Sequence, residues 1–261
     1  MKTAGRLRAL AGLLFIAAPA AANATEIHVY SSGAPAVAAK IIAADLAKKN
    51  DDHFDFTVAQ PAVIQADLTA GDKADVVILP RPFVTTLTGS GVLRTNSAVN
   101  VARVGIGIVV HAGAPTPSIA NVAAVRQLLR DAQSIVYPDP AETGGGSTGL
   151  VIARMIERLG LTDTVRPKLT VKAAIAGGVD LVANGNAEIG LFNISEIMPV
   201  KGVTLVGPLP ADLQNYILFT AAITVKSAAP EQASAYIRRL NDPAAQPAWQ
   251  NAGLEPAALS R

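Results

Sequence analysis

The chain has 261 residues, half of them hydrophobic, with no cysteine and a formal charge of +2. Without cysteine there is neither a disulfide framework nor a thiolate metal site, so stability must come from a packed core, and this length suffices for one large or two modest domains. The near balance of 22 Lys and Arg against 20 Asp and Glu gives nucleic-acid binding no charge excess to rest on.

The amino terminus reads as a targeting segment. Lys2, Arg6 and Arg8 form a basic region, Leu10 to Ala18 an apolar one broken by Pro19, and Ala22-Asn23-Ala24 a small-x-small cleavage pattern, which predicts a signal peptide over residues 1–24 and a mature start near Thr25. The apolar part is shorter than the ~20 residues a bilayer span requires, so export to the periplasm is expected rather than anchoring. Removing the three basic residues of the leader leaves 19 Lys and Arg against 20 Asp and Glu, so the mature charge is about −1.

From there strands and helices alternate. Ile27 to Tyr30 reads as a strand, Ser31-Ser32-Gly33 as a turn, and Val37 to Lys49 as a helix with Pro35 in its first turn. Phe54 to Ala59 is a second strand and Val63 to Ala70 a short helix stopped by Gly71. Val76 to Leu79 is a continuous apolar run of buried-strand type. A long strand is expected over Val101 to His111, then a helix from Ile119 to Asp131 and a strand at Ile135 to Tyr137. A glycine-rich loop leads into a helix from Thr148 to Leu159 ended by Gly160, followed by a strand from Leu169 to Val171, a short helix ending near Ala183 and a strand from Ile189 to Phe192. Tyr216 to Val225 is a second long strand, and helices over Pro230 to Leu240 and Pro243 to Ala252 complete the pattern, with Trp249 on a core face.

This order predicts an α/β protein of βαβ units with parallel sheet. Two long strands bracket the middle series, which suggests two lobes joined by two crossings: lobe 1 from residues 25–102 and 222–261, lobe 2 from 103–221. Loops at the carboxyl ends of strands from both lobes would then face one cleft.

Several motifs bear on chemistry. Gly145-Gly146-Ser147-Thr148-Gly149 matches the G-x-S-x-G nucleophile elbow, so a secreted serine hydrolase using Ser147 is one alternative. Residues Pro138 to Gly144, however, separate the motif from its strand. His28, His53 and His111 all precede Ser147, against the Ser-acid-His order of that fold. No Gly-Lys-Ser/Thr follows the glycines, so a P-loop is absent as well. What remains is a helix beginning whose unpaired N–H groups attract an anion, or an ordinary cap with Ser147 as N-cap. Ser31-Ser32-Gly33 is a comparable turn in the first lobe.

Arg81 follows a buried strand and is a candidate for bidentate capture of a carboxylate, or else a solvated charge between two prolines; Arg103, near the crossing strand, has the same two readings. Asn193 and Ser195 follow the strand ending at Phe192 and either reach the cleft or cap a helix before Glu196. Asp51-Asp52-His53 reads as a solvated turn. The histidines are not in ligand-spaced pairs, and no pair of carboxylates stands out for acid-base work, so no metal, cofactor or catalytic group is assigned.

The chain resembles the molybdate-binding branch of type 2 periplasmic solute-binding proteins over nearly all of its mature length. The residues carrying this are Ile27 to Gly33, Ala70-Gly71-Asp72-Lys73-Ala74-Asp75-Val76-Val77-Ile78, Tyr137-Pro138-Asp139-Pro140, Val182 to Gly190, and Asn251-Ala252-Gly253-Leu254-Glu255-Pro256. The resemblance implies a two-lobed monomeric receptor that closes on a small anion and hands it to the membrane permease of an ABC transporter. The branch's serine positions fall at Ala34 and within Gln60-Pro61-Ala62-Val63, and its tyrosine at Asn193, which turns the expectation from molybdate toward an organic carboxylate. The expected ligand-binding residues are Ser31, Ser32, Gly33, Arg81, Gly145, Gly146, Ser147, Thr148, Asn193 and Ser195, with no enzymatic step. An apolar or zwitterionic ligand in the same fold is the other alternative.

Overall fold

The computed structural model of the chain describes residues 25–140, 148–172 and 178–257. Its first part alternates strictly: β1 (Glu26–Ser31), α1 (Gly33–Asn50), β2 (His53–Val58), α2 (Pro61–Ala70), β3 (Val76–Pro80), α3 (Arg81–Gly89). The middle comprises β4 (Val99–His111), α4 (Val122–Asp131), β5 (Ile135–Pro138), α5 (Thr148–Arg158), α6 (Thr162–Val165), β6 (Leu169–Lys172), α7 (Gly178–Ala183), β7 (Ile189–Asn193), α8 (Ile194–Ile197) and β8 (Val203–Pro208). The chain closes with β9 (Tyr216–Ile223), α9 (Pro230–Leu240), α10 (Gln246–Asn251) and β10 (Glu255–Pro256).

Local chemistry explains most of the boundaries. Pro61 opens α2, where its missing N–H costs nothing, and Gly71 ends it in the left-handed region. Asn121 caps α4 by accepting the N–H of Ala124 at 3.0 Å, so this helix starts three residues later than its apolar pattern suggests. The Pro243 to Ala252 segment is a 3₁₀ turn, Pro243–Ala245, followed by α10, with Pro247 near the join. Helix α3 has no counterpart in the sequence reading. It is rich in threonine, and Thr85, Thr86 and Thr88 each donate to the carbonyl four residues back, which absorbs hydroxyls that otherwise disfavour a helix.

The strands form one mixed sheet in the order β2-β1-β3-β9-β4-β7-β5-β6, with β8 and β10 also on β4. The outer pairs, β1 with β2 and β3, and β5 with β6 and β7, are parallel. Every pairing made by β4 or β9 is antiparallel. Strand β4 belongs to both halves of the molecule. From Val99 to Gly105 it pairs with β9, and from Ile106 onward with β7 and β8. At the change of partner the side chain of Gln214 stands in for a strand, accepting the Ile106 N–H at 2.8 Å and donating to the Ile106 carbonyl at 3.0 Å.

Alternation along the strands sends successive side chains to opposite faces. In the first half Val76 and Ile78 of β3 join α1, α9 and α10 around Tyr236 and Trp249, while Val77 and Leu79 join α2 and α3. In the second half Ile106, Ile108 and Val110 of β4 meet α4 and α5, and Val109 meets α7 and α8. The buried polar tips are paired: Tyr236 donates to the Ala39 carbonyl at 2.8 Å and Trp249 to that of Leu240 at 2.9 Å.

Two further clusters tie the C-terminal segment back to the first half. Asp75, buried before β3, accepts the N–H groups of His28, Ala228 and Ala229 and the Ser227 hydroxyl at 2.7–3.1 Å. At β10, Glu255 takes both Nε and Nη2 of Arg103, at 2.8 and 2.6 Å, while the guanidinium lies 3.9 Å from the Tyr216 ring centre. Arg103 is thus a structural bridge between β4, β9 and β10. Among the described residues, no helix is long and apolar enough to cross a membrane.

Candidate functional site

Parallel strands deliver their carboxyl ends, and the helix beginnings that follow, to the same side of a sheet, which is where α/β folds bind ligands. In the first half these are the ends of β1 and β3. Ser31 is the last residue of β1 and Ser32 the N-cap of α1, and both are buried. The Ser31 hydroxyl donates to the Ser32 carbonyl at 2.9 Å. The Ser32 N–H and hydroxyl both go to the Ile78 carbonyl of β3, at 3.0 and 3.3 Å. Against the expectation of a ligand-facing amide at Ser32, that N–H is therefore occupied within the sheet. Gly33, the first residue of α1, is exposed, with open space where a Cβ would stand. Arg81 is exposed as the first residue of α3.

In the second half the corresponding positions are the ends of β5 and β7. Thr148 opens α5 and Asn193 ends β7, both buried, and their side chains meet: the Thr148 hydroxyl donates to Asn193 Oδ1 at 2.9 Å. Asn193 Nδ2 in turn donates to Glu196 Oε1 at 2.7 Å, and the Asn193 backbone N–H bonds the same carboxyl. The chain Thr148–Asn193–Glu196 thus joins two helix beginnings. Gly149 is required beside it, because a Cβ there would lie 2.1 Å from the Pro138 carbonyl oxygen of β5. Ser195, half-buried in the first turn of α8, has a buried hydroxyl without a hydrogen-bond partner. Its backbone faces Gly253, where a Cβ would come within 2.9 Å of the Ser195 Cα. Since Gly253 precedes β10 of the first half, the α8 turn sits on the seam between the two halves.

The expected site residues thus fall into two groups that the sheet positions at strand ends, Ser31, Ser32 and Gly33 in one half and Thr148, Asn193 and Ser195 in the other. Gly145, Gly146 and Ser147 lie outside the described residues.

Electrostatically the second group is the unusual one. Burial pushes the Glu196 carboxyl up to about 6, against the two Asn193 hydrogen bonds, which pull it down. The sequence names Glu196 only as the residue after a cap, and its one available signal is the N-x-x-E spacing of a capping box. Among the described residues no group of three or more His, Cys, Asp or Glu could hold a metal ion. A hollow of about 540 Å³ lined by Leu93, Arg94, Ser97 and Val225 lies by the β9 end opposite Tyr216, away from these turns.

A profile of the bacterial extracellular solute-binding protein family matches residues 27–255, and the chain belongs to that family. It is 31% identical over 256 residues, covering 95% of each chain, to a Pseudomonas protein named aconitate isomerase. In structure it is similar to the periplasmic molybdate-binding protein of Azotobacter vinelandii, with a TM-score of 0.67 and 17% identity over 87% of this chain and 98% of that one. It is also similar to Peb3 of Campylobacter jejuni solved with L-phospholactate bound, with a TM-score of 0.66 and 15% identity over 88% and 99%. These likenesses define the fold as that of type 2 periplasmic solute-binding proteins, in keeping with the resemblance read from the sequence.

Proposed function

We propose that the chain is the periplasmic receptor of an ABC-type uptake system, binding a small organic polycarboxylate in a cleft between its two lobes and presenting it, as a monomer, to a membrane permease. The observation that carries this reading is the buried Thr148–Asn193 pair at the head of α5, a polar contact in an apolar lobe at the carboxyl end of β7. Beside it the orphaned Ser195 hydroxyl offers a donor. Across the cleft the α1 beginning offers the N–H of Gly33, with no side chain in the way.

An organic acid is preferred over a tetrahedral oxyanion because the Ser31 and Ser32 hydroxyls already bond main-chain carbonyls. An oxyanion ringed by hydroxyls would have to break both bonds. The name of the Pseudomonas relative favours an unsaturated tricarboxylic acid as the class. Closure is driven only by the ligand's higher affinity for the closed form. Titration calorimetry and small-angle scattering with trans-aconitate, cis-aconitate, citrate, molybdate and sulfate test this. The expected result is binding and compaction with the tricarboxylates, and neither with any of the five removes the reading.

A second reading of the same cleft is that the bound acid is isomerised there. It is supported by the relative's name and by the weakly acidic Glu196 carboxyl. Proton NMR of trans-aconitate incubated with the protein tests it, through the appearance or absence of the cis isomer.

A further inference from the structure

We propose that Glu196 is the catalytic acid–base group of this cleft, carrying one proton between two carbons of a bound unsaturated polycarboxylate. The inference rests on the second reading above and names the residue and the step.

Three observations converge on it. The Glu196 carboxyl is held from one side by Asn193, through Nδ2 at 2.7 Å and the backbone N–H, and Asn193 is oriented by the Thr148 hydroxyl at 2.9 Å. A carboxylate accepts about four hydrogen bonds, so the two from Asn193 fix its position and leave lone-pair capacity for a substrate proton. The α8 turn that bears it lies on the seam between the halves, with Ser195 against Gly253. The packing beneath the turn is apolar, Ile194 lying over Gly107 beside Leu205, which raises the cost of the charged form of a half-buried carboxyl there.

The step balances without a co-reactant. The Glu196 carboxylate takes a proton from the methylene carbon next to the double bond. The C–H electron pair enters an allylic anion, delocalised onto the adjoining carboxylate, and the double bond moves by one carbon. The neutral carboxyl then returns the proton to the far carbon of the three-carbon unit, so one C–H bond is broken and one formed. Asn193 and Thr148 are positioning residues in this scheme.

The charged residues on the elements around Glu196 are few. Strands β7 and β8 carry none, β4 carries Arg103 and His111, α5 carries Arg154, Glu157 and Arg158 beyond its first turn, α7 carries Asp180, and the short stretch from Gly253 through β10 carries Glu255. Burial leads the causes of the raised Glu196 value. A group titrating near 6 is mostly ionised, yet still readily protonated, at neutral pH.

The same contacts also make a capping box, in which a glutamate reaches back to the N-cap N–H. Glutamine serves a capping box equally well but transfers no proton, so Glu196→Gln separates the two roles. The experiment incubates wild type and Glu196→Gln with trans-aconitate in deuterium oxide, following isomer formation and deuterium uptake by NMR and the dissociation constant by calorimetry. The expected result is exchange and isomerisation by wild type, with kcat/KM rising through about pH 6, and a loss of at least about 100-fold in the variant with affinity unchanged within about threefold. Thr148→Val, which removes the bond that orients Asn193, should shift the pH profile of kcat/KM. Binding without exchange in wild type, or exchange that survives in Glu196→Gln, overturns the role of Glu196 while leaving the receptor reading intact. Absence of binding to wild type overturns both.

Discussion

Each half of the molecule desolvates one carboxyl group near a strand end, Asp75 fully buried and Glu196 half-buried, and the two behave oppositely. Asp75 in the first half is desolvated, but the N–H groups of His28, Ala228 and Ala229 and the Ser227 hydroxyl outweigh that penalty and hold its pKa below the usual range. Glu196 in the second half receives bonds from Asn193 alone, and burial prevails, raising it to about 6. Four donors offset the desolvation of Asp75, and the two bonds from Asn193 do not offset that of Glu196. The turns follow the same division. Those of the first half close their polar groups on Ile78, while those of the second keep an ionisable group and an unpartnered Ser195 hydroxyl on the seam. The first half closes its serines on itself, and the second leaves polar groups at the seam.

The largest effect that would sharpen this contrast is expected for Asp75→Ala. It leaves a set of buried donors without an acceptor and should cost about 3 kcal/mol in urea denaturation. Because the folded pKa of Asp75 lies below its unfolded value, its contribution is present above the unfolded value and is lost as pH falls through the folded one. Glu196 has the opposite linkage. The folded state binds the proton more tightly, so stability falls as pH rises from 4.5 to about 6. Glu196→Gln should therefore be more stable than wild type at pH 8, by about 2 kcal/mol, and lose that part of the pH dependence. A variant no more stable than wild type at pH 8 would erase the contrast.

Smaller effects test the joint and the first turn. Gln214→Ala should cost about 1 kcal/mol by unpairing the Ile106 N–H, while the Ile106 carbonyl keeps the N–H of Leu209. It should also speed amide exchange at Ile106, read by hydrogen–deuterium mass spectrometry. Ser32→Ala should cost only about 1 kcal/mol, because the backbone N–H keeps its bond to Ile78, and should leave ligand affinity unchanged. A loss of affinity in Ser32→Ala would return the Ser32 hydroxyl, beside the Gly33 N–H, to the binding surface.

Most of the architecture is legible in the residues because two signals coincide there, period and punctuation. Strand β3 is a bare apolar run between Asp75 and Pro80, and α2 is bounded by Pro61 and Gly71. Helix α3 is hidden because its threonines read as extended chain until their hydroxyls are satisfied four residues back. The change of partner within β4 is invisible for a different reason. Val104, Ile106 and Ile108 are equally apolar on both sides of it, and the residue that marks it, Gln214, is more than a hundred positions away. In the site, the turn residues announce themselves by type, but their state does not. Whether the Ser32 N–H is engaged depends on Ile78, and the Glu196 pKa on packing from β4 and β8, neither of which any local pattern encodes.

The passage of one strand through both halves also orders how the molecule can assemble. The second-half ladder is contained in the contiguous stretch from Ile106 to Pro208, so it can close once that stretch is available. In the first half β9 lies between β3 and β4, and α9, α10 and β10 complete the packing, so this half waits for the last segment of the chain although its opening strands come first. The amino-terminal strands are therefore committed late, and a chain cut short before Tyr216 keeps one finished half beside an open sheet edge.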